Sequence, residues 1–189
     1  MGKIVVTEFI SLDGVVEDPG DAEEGFQHGG WTFEIDRGQD GDKFKLDETL
    51  ESEVMLLGRT TYEGFAAAWP SRKDPGGFAD KMNSMPKYVF STTLPDPDWA
   101  NTTVLSGDFA EEMRKLKDEY DGTILVHGSA TLAQGLIDND LVDELHLMVF
   151  PVVLGSGKRL FGASGKKPLQ LTDAKVVGAG VQILTYESA

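Results

Sequence analysis

The stretch ILVHGSATLAQGLI (124–137) changes its periodicity halfway. Up to Val126 it is a run of β-forming residues, and beyond Ser129 the residues Leu132, Leu136 and Ile137 recur on one helical face. Gly128, between the two, allows a close approach of backbone to a ligand, and the free N–H groups of a helix start favour anions. Taken alone, the stretch is either a phosphate cradle or a tight turn closed by a helix cap.

Working outward, strand-like runs occupy 3–10, 53–58, 87–92, 102–106 and 123–127, followed by 144–154, 169–177 and 181–188. Helical patterns lie between the early runs. DKFKLDETLESE (42–53) places Phe44, Leu46 and Leu50 at near-helical spacing, and TTYEGFAAAW (60–69) follows the second strand. At 108–120, Asp108 caps a helix with Glu111 three residues on, and Phe109, Met113, Leu116 and Tyr120 form one apolar stripe that belongs to the core. Strands alternating with helices, closed by strands without helices, predict an α/β fold: a mostly parallel central sheet flanked by helices, with antiparallel C-terminal strands. The chain of 189 residues suits a single domain spanning 1–189. The loop 13–40 is long for a connection and is read as either a lid or an excursion, with GFQHGGW (25–31) and Trp31 as candidates to cover a ligand.

Composition narrows the function classes. No apolar stretch approaches the roughly 20 residues of a membrane span, and the start MGKIVVTEF lacks the apolar region of a signal peptide, so a cytoplasmic protein without a membrane partner is expected. There is no cysteine, which removes disulfides, thiolate metal sites and cysteine nucleophiles. A formal charge of −15 argues against nucleic acid as a partner. The three histidines, His28, His127 and His146, lie in different elements without metal-ligand spacing, so no metal is expected. LGSGKRLF (154–161) is not a phosphate loop, because Val152 stands where that motif needs glycine and Arg159 where it needs a hydroxyl. Lys158 and Arg159 remain able to assist a bound anion.

Two junctions look alike. VMLLGRTTYEGF and ILVHGSATLAQGL each follow an apolar strand with glycine and then hydroxyl residues able to cap a helix, Thr60 and Thr61 in the first, Ser129 and Thr131 in the second. Side by side on a parallel sheet they would hold both ends of a pyrophosphate. Arg59 adds a cation, and the strand end STT (91–93) adds hydroxyls at the same sheet edge.

Four stretches stand out along the chain, SLDG (11–14), LLGRTTYE (56–63), HGSATLAQGLIDNDLVDEL (127–145) and FPVVLGSGKRLF (150–161), the last two, in that order and spacing, being far more specific than a glycine pattern. With them, nearly the whole chain resembles the dihydrofolate reductase-like superfamily, and within it the group related to the C-terminal reductase domain of bifunctional riboflavin biosynthesis proteins. The resemblance implies an NADPH-dependent reductase that delivers hydride to a C=N or C=O group of a small heterocyclic substrate, aminopyrimidine- or pterin-like. It implies that Gly58, Arg59, Thr60 and Thr61 contact cofactor phosphates and that Ser91 and Thr92 lie near the adenosine ribose and its 2′-phosphate. Gly128, Ser129, Ala130, Thr131 and Leu132 would form the pyrophosphate turn, and Phe9 and Ile10 would flank the nicotinamide. Relatives of this kind are often homodimers. His127 departs from the pattern, since riboflavin reductases typically carry glutamate there and folate reductases glycine. The folate-type acid sits early in the first helix, where Asp40 and Asp42 are available.

Hydride chemistry belongs to the nicotinamide, and the protein must align the acceptor and manage a proton. Asp13 is the first candidate for that proton, His127 the second and Asp42 the third; for Asp13 the alternative is an Asp-Gly turn. His146, in an alternating strand, is read as structural. Two rivals come from other classes: a non-catalytic nucleotide-binding or regulatory module that retains the cradle, and a hydrolase using His127. The first would bind NADPH without consuming it. The second would release product without any nicotinamide.

Overall fold

The structure is a computed structural model that describes residues 1–20, 25–163 and 165–189. Strands β1 (Lys3–Ser11), β2 (Val54–Gly58), β3 (Lys87–Phe90), β4 (Thr102–Leu105), β5 (Thr123–His127), β6 (Glu144–Phe150), β7 (Leu169–Val177) and β8 (Val181–Ser188) form one sheet in the order β4-β3-β2-β5-β1-β6-β8-β7. The six strands from β4 to β6 are parallel; β8 runs antiparallel to β6, and β7 to β8. Parallel neighbours need crossovers, and the helices α1 (Gly38–Glu51), α2 (Arg59–Ala68), α3 (Phe78–Ser84), α4 (Phe109–Glu119) and α5 (Ala130–Asp138) serve them. The fold class expected from the strand and helix pattern is the one observed.

Alternation along the strands divides the core in two. On one face, Ile4, Val6, Ile10, Leu56, Ile124 and Val126 pack against Met113 and Leu116 of α4 and Leu132 and Leu136 of α5. The stripe expected at 108–120 is in place, and the Asp108 carboxylate accepts from the Glu111 N–H at 3.0 Å. On the other face, Met55, Leu57 and Val89 meet Tyr62 of α2 and Met82 of α3, while Met148 and Phe150 meet Trp31, Val177 and Ile183.

Two expectations are corrected. The buried residues of α1 are Gly41, Lys45, Glu48 and Thr49; Phe44 is half-buried against His146, with ring centroids 5.5 Å apart, and Leu50 is exposed, because the strands beneath offer hydroxyls and imidazoles. The run 144–154 is strand only to Phe150, since Pro151 has no N–H to continue the ladder. β6 is paired on both sides, with β1 and with β8. The short helix α3 escaped notice because it buries only Ala79 and Met82; its start is capped by the Asp74 carboxylate, which accepts from the Phe78 and Ala79 N–H groups at 3.0 and 2.6 Å.

Within the loop 13–40, residues 21–24 lie outside the described residues. Trp31 opens a short 3-10 turn, is buried edge-on against Phe150 at 5.5 Å, and donates its indole N–H to the Glu17 carbonyl at 2.9 Å. It is a core anchor, which is the plainer of the two readings for this segment.

Candidate functional site

The ends of three adjacent strands, β3, β2 and β5, are tied into one surface. The Gly58 N–H donates to the Ser129 hydroxyl oxygen at 2.9 Å, and the Ser129 N–H donates to Thr61 Oγ1 at 3.0 Å. Ser129 Oγ in turn donates to the His127 carbonyl at 3.1 Å. From β3, Ser91 Oγ accepts from the N–H groups of Thr93 and Leu94 at 3.2 and 3.1 Å, and Arg59 reaches across to donate to Thr93 Oγ1 at 2.6 Å. The two similar junctions are therefore bonded to each other, and the third strand end joins them.

This bonding changes what the hydroxyls do. Thr60, Thr61, Ser129 and Thr131 are residues able to cap a helix, yet neither α2 nor α5 has a side-chain cap. Ser129 occupies the cap position of α5 in the left-handed conformation, φ 60° and ψ 51°, which directs its hydroxyl back to the neighbouring junction. The first-turn N–H groups of two adjacent helices thus carry no side-chain acceptor, the arrangement that a pyrophosphate requires. Gly128 also has a positive φ, 52°, so glycine serves the turn there. Lys158 Nζ lies 3.4 Å from Thr131 Oγ1 and Arg59 lies on the opposite flank, giving the cradle a cation on either side. Thr60 and Thr92 are exposed beside it, Ala130 is half-buried, and Leu132 is committed to the core through its side chain. By residue chemistry, the cradle fits a dinucleotide phosphate.

Phe9 and Ile10, one after the other on β1, face opposite sides of the sheet. Ile10 packs with the α4/α5 core, and Phe9 packs edge-on against Phe150 with ring centroids 5.7 Å apart. Two cations lie over the Phe9 ring, Arg37 at 5.1 Å and Lys45 at 5.0 Å from its centroid.

Beside them is a buried polar row. The register pairs Thr7 with His127 of β5 and with His146 of β6, so three polar side chains share one face across three strands. Helix α1 covers them with Lys45 and Glu48. Lys45 Nζ ion-pairs with Glu48 Oε1 and donates to Thr7 Oγ1 at 2.8 Å; Thr7 Oγ1 donates to Glu48 Oε1 at 2.8 Å, and His146 Nδ1 lies 2.9 Å from Glu48 Oε2. Burial alone would raise the Glu48 carboxyl, but the Lys45 ammonium and the His146 hydrogen bond outweigh it and hold the group at about 2. His146 also contacts Glu144 at 3.3 Å, in keeping with its structural reading.

His127 is buried, and its Nε2 has no hydrogen-bond partner among the described residues. Burial, reinforced by Lys45 and opposed by Glu48, pushes its pKa down to about 3, so the imidazole is neutral near pH 7. Glu8, on the other face of β1 with Ile4, Val6 and Ile10, is the converse: burial raises its carboxyl to about 8, and its Oε1 has no partner among the described residues.

Asp13 is engaged in holding a loop. Its carboxylate accepts from Ser11 Oγ at 2.6 Å and from the N–H groups of Leu154 and Gly155 at 3.1 and 2.8 Å, and Arg159 lies 3.7 Å away. The Ser11 hydrogen bond leads the causes that depress its pKa to about 2. Gly14, with φ 83° and its N–H donating to the Ser11 carbonyl, completes the Asp-Gly turn weighed for this position. Asp42 is exposed and paired with Arg37 at 2.6 Å, apart from the buried row. Of the three proton candidates, only His127 belongs to that row.

The residues that sequence reasoning missed are Thr7, Lys45, Glu48 and Glu8. A signal existed in the polar Thr7-Glu8 pair interrupting an otherwise apolar strand, and in the helical spacing of positions 41, 45, 48 and 49. Cavities of about 280 Å³, between α5 and β8, and about 540 Å³, beside Trp99, are not lined by cradle residues. Among the described residues, no helix is long and apolar enough to cross a membrane, and no group of three or more His, Asp or Glu is placed to hold a metal ion.

Comparison with known proteins adds the following. The family model of the RibD C-terminal domain matches residues 2–184. Uncharacterized protein YyaP of Bacillus subtilis (strain 168) is 28% identical over 189 residues, covering 97% of this chain and 94% of that protein. Uncharacterized protein YwjB of the same organism is 28% identical over 183 residues, covering 96% and 95%. Among solved structures, a "Putative riboflavin biosynthesis protein" from Shewanella sp. PV-4 superposes with a TM-score of 0.78 at 20% identity, covering 99% of each chain. A pyrimidine reductase-like protein from Corynebacterium diphtheriae superposes with a TM-score of 0.64 at 12% identity, covering 99% of this chain and 92% of that one. At these identities the two structures establish the shared fold.

Proposed function

The chain belongs to the RibD C-terminal domain family, and from that premise we propose that it is an NADPH-dependent reductase acting on a C=N or C=O group of a small, aminopyrimidine- or pterin-like molecule. The observation that carries the proposal is the pair of uncapped helix starts, α2 and α5, locked together through Ser129. Gly58, Thr61, Gly128, Ser129 and the N–H groups of residues 130–132 would hold the pyrophosphate. Arg59, Ser91 and Thr92 would serve the 2′-phosphate end, and the β1 residues Phe9 and Ile10 the nicotinamide end.

When bound, NADPH supplies the hydride, and the chain's own work is to bind, orient and exclude water. His127 acts as a neutral hydrogen-bond partner to the acceptor. Its pKa of about 3 makes it a poor proton source near neutrality. Asp13, held ionised, fixes the loop around Leu154 and Gly155 and positions the rim of the site rather than relaying a proton.

The test is thermal unfolding with NADPH, NADH and NADP+, followed by NADPH oxidation in the presence of aldehydes, ketones, imines and pterins. A melting temperature raised preferentially by NADPH, together with oxidation that requires an acceptor, is the expected outcome. Stabilisation by NADPH without oxidation by any acceptor would favour a binding module instead. No stabilisation by any nicotinamide would overturn the reading.

A further inference from the structure

We propose that a second copy of this chain docks on one face of the β7–β8 hairpin, giving a two-fold dimer. The two faces of the hairpin differ. Pairing of β7 with β8 puts Gln170, Asp173, Lys175 and Val177 on one side with Val181, Ile183, Thr185 and Glu187, and there Val177, Val181 and Ile183 pack with Trp31. The other side holds Leu169, Leu171, Ala174 and Val176 with Gln182, Leu184, Tyr186 and Ser188, eight positions without a charge. This is the side on which α4 and α5 cover the inner strands, but they leave β7 open: Leu169 is 38%, Leu171 51% and Val176 69% exposed. Phe161, also exposed, extends the apolar surface to the cavity of about 280 Å³ that it lines with Ile137, Leu145, Leu169 and Tyr186.

A contiguous apolar face left open marks an interaction site, and charge identifies the occupant. Residues 1–154 hold 30 acids and 12 bases, whereas residues 155–189 hold 2 acids and 5 bases. The hairpin therefore belongs to the part of the chain where two copies, each with a formal charge of −15, approach with least repulsion. A two-fold interface sets a patch against itself, and an uncharged apolar face is its own complement. A cationic partner would be drawn to the acidic remainder instead. The second copy docks on the face and does not extend the sheet: β7 carries Asp173 and Lys175, ion-paired at 3.9 Å, and its register slips between Leu171 and Asp173, both of which discourage edge-to-edge pairing. Packed face to face, the two hairpins stand about 10 Å apart, and the cavity between α5 and β8 takes an apolar side chain from β7 of the other copy. The cradle, built at the ends of β3, β2 and β5, stays open in such a dimer.

The experiment is sedimentation equilibrium of wild type, of Leu171→Lys/Val176→Lys on the open face, and of Asp173→Ser on the opposite one. Wild type should sediment at twice the 20.5 kDa of one chain at micromolar concentration. The double lysine variant should dissociate at least about 100-fold more readily with its far-UV circular dichroism unchanged, while Asp173→Ser stays dimeric. A second readout does not depend on the lysine variant folding. The chain has no cysteine, so single cysteines report the face directly. Ala174→Cys should be joined between copies by a short bismaleimide, and Lys175→Cys, on the other side of the strand, should not. Three results would overturn the inference: a wild type that stays monomeric up to about 100 µM, which would assign the face to a different partner; a dimer that survives Leu171→Lys/Val176→Lys; or crosslinking at position 175 in place of 174.

Discussion

The cradle and the buried row, a few residues apart along β5, are built by opposite means. The cradle at the ends of β3, β2 and β5 is made of main chain, glycine and short hydroxyls, and much of it is exposed. The row beneath α1 is made of charged and aromatic side chains, with Lys45 10% and Glu48 5% exposed. The first kind of site offers polarity that water can also satisfy. The second holds charges that are tolerable only because each has its partner. A ligand therefore adds partners to the cradle, whereas any change in the row alters a closed electrostatic circuit.

The largest effect that would sharpen this contrast is expected at Glu48. Glu48→Ala leaves the Lys45 ammonium buried without its carboxylate and should cost about 3–5 kcal/mol of stability by urea unfolding. A loss below about 1 kcal/mol would mean that water reaches the row and that it is not closed. Next comes Ser129→Ala, which removes the hydroxyl linking the two junctions. It should cost about 1–2 kcal/mol and weaken NADPH binding about tenfold, an unchanged affinity being the result that breaks the cradle half of the comparison.

A third test uses pH. The Glu8 carboxyl is raised by burial from 4.5 to about 8, so between those values the folded chain holds a proton that the unfolded chain has released. Stability should decline as pH rises through that window, and Glu8→Gln should flatten the decline. His127 works on the acid side. Its pKa is depressed from 6.5 to about 3, so the unfolded chain takes up a proton first and stability should fall as pH drops from about 6.5 towards 3. The smallest effect is expected at Arg59, an exposed residue paired with Glu63 and Thr93. Arg59→Ala should shift stability by less than about 0.5 kcal/mol while weakening NADPH a few-fold more than NADH in low salt.

The same contrast explains what the sequence could disclose. Strand runs, the Asp108 cap and the two glycine junctions are local patterns, each complete within about a dozen neighbouring residues, and the parallel sheet brings the junctions together as adjacent strands must. Ser129 bonding to Gly58 was not itself legible, because a hydroxyl at a helix start looks the same whether it caps its own helix or clasps the next. The row was hidden for a stronger reason. Thr7, Lys45, Glu48, His127 and His146 come from four elements, and their contacts depend on the register of β1 with β5 and β6 and on the roll of α1 about its axis. Of the apolar positions on α1, Phe44 reaches the core and Leu50 does not, because the face that the helix buries is centred on an ion pair.

The central claim, that the two junctions act together as one phosphate cradle, is tested most directly by following backbone amide resonances of the labelled protein during titration with NADPH. The amides of Gly58, Arg59, Gly128, Ser129, Ala130 and Thr131 should shift along a single saturation curve, with smaller changes for NADH. Shifts confined to one junction, or centred instead on the cavity lined by Ile137, Leu145 and Tyr186, would contradict it.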